Sequence, residues 1–173
     1  MVDNYENNTS AANPYSLPES SITAQKVCFE LAKKEENQAK HGIPAICDTA
    51  PGEFIFIGLE IENQQCTLGL DITACKNPTL KELSGFVDHR TKITCQISRF
   101  RSLQLNYIPI SLEILATLPI MTKPDSPNAE DIPLLLPSAL THDQRFSRQC
   151  NSSLSKIESW LHDAQYEESL NKL

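Results

Sequence analysis

The chain is 173 residues long, 40% hydrophobic and only 6% aromatic, which predicts one domain whose core is built mostly from Leu and Ile. Its formal net charge of −7 excludes a uniformly basic, nonspecific DNA binder, because phosphate contact needs a basic surface. With 5 Gly against 11 Pro, and the prolines clustered between long periodic segments, the expected architecture is a few helices joined by proline-stiffened linkers.

Residues 1–19 are rich in Asn and Ser, with Pro14 and Pro18, and predict a disordered or loosely attached arm. The opening VDNYENNTS has no basic-then-apolar leader pattern, and no run approaches the ~18 apolar residues of a membrane span, so an intracellular protein is expected. Residues 20–173 are expected to form a single helical domain. Its first helix covers about 20–40, capped by Ser20 or Ser21, with Ala24, Val27, Cys28, Leu31 and Ala32 as the apolar face. Beyond Ala32 the sequence is polar all round, so the helix should leave the core before Gly42 and Pro44 end it.

The central helix covers about 52–75, with Pro51 in its first turn. At ~100° per residue it is apolar on two faces. Phe54, Ile57, Ile61, Leu68 and Ile72 form one stripe; Ile55, Leu59, Cys66 and Leu70 form the other, so neighbours are expected on both sides. Gly58 and Gly69 lie near the first stripe and allow close approach of another element. Asn77-Pro78 breaks the chain, and Thr79-x-x-Glu82 is a capping box for a helix over 79–107. Its three- and four-residue apolar spacing predicts an antiparallel hairpin with the central helix, Phe54, Ile57, Ile61 and Leu68 facing Leu83, Phe86, Ile93 and Ile97. The predicted fold class is therefore all-α, an elongated helical bundle around a long antiparallel hairpin.

Ile108-Pro109 ends that helix, and a short one over 110–118 follows. Residues 119–137 form a linker with five prolines, whose tail from Ile132 to Leu136 should dock on the bundle, so that proteases cut near Lys123 well before Leu135. Thr141 to Cys150 holds one helical turn or two. A last helix covers 152–173, capped by Asn151 or Ser152, with Leu154, Ile157, Trp160, Leu161 and Ala164 as its face and Trp160 as a core anchor.

No constellation for catalysis, metal or cofactor emerges. The six cysteines form no C-x-x-C and read as reduced, buried thiols; His41, His89, His142 and His162 have no zinc-ligand spacing around them. Glu158, Asp163, Glu167 and Glu168 read as a solvated acidic face. On the helix over 79–107, Lys81, Lys92 and Arg99 share one side, while Arg90 and Arg101 fall within the apolar stripe. A cation there must snorkel or be paired; an antiparallel hairpin brings Glu62 to Arg90, with Glu60 the second choice.

Four stretches in series resemble one family: GEFIFIGLEIENQQ at 52–65, RFRSLQLNYIP at 99–109, EDIPLLLPSAL at 130–140 and RQCNSSLSKIESWLHDAQYEESLNKL at 148–173. Their order and spacing are similar to the region after the catalytic core in fungal transposases of the Kyakuja–Dileera–Zisupton group, over about 13–173. The resemblance implies that the nuclease-like core and its acidic metal ligands have no counterpart positions here. The expected role is thus a non-catalytic accessory scaffold or self-association module, with a protein partner or a second copy, no small-molecule substrate, and a nuclear location if the family role is retained, otherwise a cytoplasmic one. The alternative is a nucleic-acid-binding accessory domain using Lys81, Lys92 and Arg99.

Overall fold

A computed structural model describes residues 23–41, 48–121, 127–147, 150–151 and 153–170. Among these the chain is all-α. Six helices occur in order: α1 (Ala24–Lys40), α2 (Pro51–Ala74), α3 (Leu80–Tyr107), α4 (Pro109–Thr117), α5 (His142–Arg145) and α6 (Leu154–Leu170). Short 3₁₀ turns lie at Ala129–Asp131 and Pro137–Ala139. The predicted arm at 1–19, the Ser20 and Ser21 caps and the Gly42 cap lie outside the described residues, as does the Lys123 cleavage site. At the start of α1 it is Thr23 whose hydroxyl accepts from the Lys26 amide, at 3.2 Å.

α2 and α3 run antiparallel. Phe54, in the first turn of α2, stacks on Phe100 and Tyr107 in the C-terminal turns of α3, the base of the hairpin, with ring centroids 4.9 and 4.8 Å apart. Such pairs add about 0.5–1.5 kcal/mol each beyond burial. The capping box at Thr79 and Glu82 forms as read from the sequence, and Tyr107 donates its hydroxyl to the Thr49 carbonyl, tying the base of α3 to the chain entering α2. Ile61, Leu68, Ile93 and Ile97 are buried between the helices and the elements around them. The expected facing of Leu83 and Phe86 is corrected: Leu83 is exposed and Phe86 only partly buried. Packing is concentrated at the base, where other elements converge, and the far end carries Leu80 and Val87 in solvent.

The second face of α2 also divides. Ile55 and Leu59 are buried, and α1 and α6 both pack against this helix, but Cys66 and Leu70 are exposed. The reading of the cysteines as buried is corrected with them. All five described thiols are free, Cys150 alone is buried, and Cys66 and Cys95 face solvent. The last two turns of α1 are largely exposed, as their polar sequence demands.

The segment 129–136 lies on the hairpin as a strap. An extended segment that pairs with no strand leaves its carbonyls without partners, so a surface that buries it must supply donors. The hairpin supplies them from three side chains. Gln65 donates to the carbonyls of Ala129 and Ile132 at 2.7 and 2.8 Å. Gln104, fully buried, donates to that of Leu134 at 2.6 Å, and Arg101 donates to those of Pro133 and Leu134 at 2.6 and 3.0 Å. Leu134 and Leu136 are buried beside these bonds. At Gly58 the strap comes so close that an added Cβ would lie 2.7 Å from Leu136 Cδ2 and 3.0 Å from Phe100 Cζ. Gly69, by contrast, has open space. Leu135 takes φ 57, a left-handed conformation costing about 1–2 kcal/mol for a residue with a side chain. The bonds to the adjacent Leu134 carbonyl offset it. With its backbone held in this way, the strap should resist limited proteolysis between 129 and 136 until the whole domain melts; a cut there at native temperature would contradict the clamp.

Three helical or turn N-termini are capped by glutamates from other elements. Glu168 at the end of α6 accepts from the Ala24 amide at 2.8 Å, and Glu35 of α1 accepts from the Gly52 amide in α2 at 3.4 Å. Glu158, only 2% exposed, accepts from the Ser138 amide at 2.8 Å and its hydroxyl at 2.6 Å. A carboxylate at a helix N-terminus satisfies orphan donors and complements the dipole. Reading Glu158 and Glu168 as part of a solvated face is therefore corrected: both are structural acceptors.

Candidate functional site

The two arginines in the apolar stripe are held differently from expectation. Arg90 does not pair with Glu62 or Glu60. Its guanidinium binds the Glu130 carboxylate, with Nε 3.1 and 3.0 Å from the two oxygens and Nη2 on Oε1. Glu130 arrives on the 3₁₀ turn that begins the strap. The hydrogen bond from Arg90 holds the Glu130 carboxyl below the usual carboxylate range. Arg101 neither snorkels nor meets a carboxylate; it satisfies itself on the strap carbonyls and on Gln104. Burial pulls its pKa down to about 10, which still leaves it a cation at neutral pH. Both arginines thus fasten the strap to the hairpin.

Glu62 is left without a cationic partner among the described residues. Burial, and then the charge of Glu158, push its carboxyl above the usual range. A carboxyl raised in the folded state contributes stability only while protonated, and that contribution is lost as pH rises from the unfolded value of ~4.3 through the folded one. Glu62→Gln should therefore raise the melting temperature near pH ~7, by less than about 1 kcal/mol of stability, and give no gain near pH ~3.5. A loss of stability at neutral pH would contradict a carboxyl raised by burial.

Lys81, Lys92 and Arg99 are exposed on one side of α3, as expected. Lys92 and Arg99 border the same shallow depression, together with His89 and Asp88; Lys81 lies outside it. The three span roughly 27 Å of helix axis at 1.5 Å per residue, with Asp88 set among them, so they form a thin basic stripe. Among the described residues no three His, Cys, Asp or Glu side chains gather where a metal ion could be held. No described helix is long and apolar enough to cross a membrane.

A second concavity lies between α1 and α6. The two helices are antiparallel, as the bond from the Ala24 amide to Glu168 requires. Their polar-to-apolar spacing leaves Val27, Leu31 and Ala164 lining an open cleft of about 730 Å³, with Trp160 at its rim. Trp160 is 41% exposed, and the Lys156 ammonium lies over its ring at 5.1 Å from the centroid. The expectation that Trp160 anchors the core is corrected. Leu161 and Leu154, one helical face round, take the core positions, and the indole is turned toward the cleft. Trp160 lies on the edge of the α6 apolar face, four residues from Ala164; its size drew the core reading, although the bulk of the core is aliphatic.

Comparison with protein-family models, with curated proteins and with solved structures finds no match to this chain.

Proposed function

We propose that the chain is a helical scaffold that self-associates and performs no chemistry of its own. In this reading it is an accessory segment of the kind that follows the catalytic core in Kyakuja–Dileera–Zisupton transposase-related proteins, nuclear if that role is retained. The observation that carries the self-association is the apolar cleft between α1 and α6, with a tryptophan at its rim. A concave apolar surface with an aromatic anchor is the usual seat of a protein contact, and the strap and glutamate caps give it a stiff frame. Sedimentation equilibrium over a concentration series tests the reading directly: masses above the monomer are expected, and a monomer at every concentration would overturn it.

The rival use of Lys81, Lys92 and Arg99 on nucleic acid rests on their common exposed side of α3. Titration with duplex DNA at low and at physiological salt separates the two. The scaffold reading expects little binding in either, whereas a DNA contact would give affinity that falls steeply with salt.

A further inference from the structure

The α2–α3 hairpin holds an extended segment on one face and presents the same chemistry on the other. On the strap face, Gln65 of α2 and Gln104 of α3 donate to strap carbonyls, and Arg90 of α3 takes the Glu130 carboxylate. Across the hairpin, Gln64 of α2 and Lys92, Gln96 and Arg99 of α3 border one shallow depression of about 710 Å³. At ~100° per residue, Lys92 and Arg99 stand roughly 160° to 180° round α3 from Arg90. The side chains of Gln64, Lys92 and Arg99 make no hydrogen bond or ion pair among the described residues. The Gln96 Oε1 is buried and has no hydrogen-bond partner among them. A buried amide in that state is satisfied by whatever covers it.

We propose that this face docks an extended acidic segment of a partner protein, held as the strap is held on the other side. Its carboxylates meet Lys92 and Arg99, and its backbone meets Gln64 and Gln96. The charge balance fits: two exposed cations border the depression against one carboxylate, Asp88. The spacing fits as well. Lys92 and Arg99 are separated by roughly 10.5 Å of helix axis at 1.5 Å per residue. A polyproline-II segment repeats every ~3 residues at ~3.1 Å each, so carboxylates three residues apart stand on one side about 9 Å from each other. The amide chemistry favours peptide over nucleic acid. A peptide bond carries a donor and an acceptor and satisfies the Gln96 carboxamide whichever way it is turned, whereas a phosphodiester backbone only accepts. The formal charge of −7 also opposes a long polyanion far more than a segment with two carboxylates. This face is separate from the α1–α6 cleft, so a failure of self-association leaves it standing.

The test is an amide NMR titration of the full chain with a short capped peptide that carries two glutamates three residues apart among alanine and proline. The side-chain amides of Gln64 and Gln96 should shift and saturate, and the same peptide with glutamines should bind at least ~tenfold more weakly. Lys92→Glu and Arg99→Glu should each weaken the acidic peptide at least ~tenfold. Both side chains are exposed, and far-UV circular dichroism shows that each variant is folded. Lys81→Glu is the control. Lys81 shares the stripe but lies outside the depression, roughly 16 Å of helix axis from Lys92 and beyond the Debye length of ~8 Å at physiological salt. Its substitution should change the affinity less than ~twofold. Equal losses from Lys81→Glu and Lys92→Glu would reduce the contact to a general field and end the proposal. So would a titration in which neither glutamine shifts. Tighter binding of a single-stranded oligonucleotide of equal charge would give the face to nucleic acid. Shifts at Gln64 and Gln96 that follow protein concentration without peptide would give it to a second copy. Either result overturns the acidic partner.

Discussion

Ile61→Asp is expected to abolish the cooperative thermal transition, or to lower its midpoint by well over ten degrees. Ile61 is 1% exposed on the face of α2 that packs toward α3 and the strap. Its neighbours along that face are Phe54, Leu68 and Gln65, and Gln65 has both of its donor hydrogens on the strap carbonyls. That donor group is thus already used. A carboxylate placed there has no counter-charge and must either be neutralised or open the interface to water. Either course costs several kcal/mol, against a total stability of about 5–15 kcal/mol for a domain of this kind. Circular dichroism during heating checks it; a midpoint within a few degrees of the parent would mean that α2 does not hold the centre of the domain.

Glu158→Ala is expected to cost about 2 kcal/mol. The substitution strands the Ser138 amide and hydroxyl together; Ser138 itself is exposed, so water takes up part of the loss. It also leaves a cavity beside Leu161 on α6. Glu158→Gln keeps the shape and one good acceptor for the amide, and the Ser138 hydroxyl can turn to accept from the new amide group. Its cost should stay near ~1 kcal/mol. Urea denaturation of the pair separates acceptor loss from charge loss. Equal losses in the two variants would show that charge, not hydrogen bonding, is what Glu158 contributes.

Local signals were the most legible part of this chain. The Thr79–Glu82 capping box, the break at Asn77-Pro78 and the docking of Ile132 to Leu136 all follow from short-range chemistry, and the helix bounds fall within a few residues of their periodic segments. What was not legible was which element arrives at a given face. Arg90 was placed opposite Glu62 because a hairpin brings α2 to α3, but the strap reaches Arg90 first and brings Glu130. Gln65, Gln104 and Glu158 each occupy an apolar stripe, three or four residues from buried Leu or Ile side chains. That spacing is the signal for a buried polar group with a distant partner, although it does not name the partner. Of the cleft, Val27, Leu31 and Ala164 were legible as apolar faces of their helices. That α1 and α6 lie side by side was not, since the bond from Ala24 to Glu168 joins the two ends of the domain.

Self-association through α1 and α6 is the claim on which the functional account stands. Hydrogen exchange read by mass spectrometry, on the full chain at dilutions well below and well above the micromolar range, tests it most directly. The account predicts that exchange slows at high concentration in peptides covering 24–40 and 154–170, while peptides covering 80–87, where Leu80, Leu83 and Val87 lie exposed, do not change. Slowing confined to 80–87, or no difference at any concentration, would contradict it.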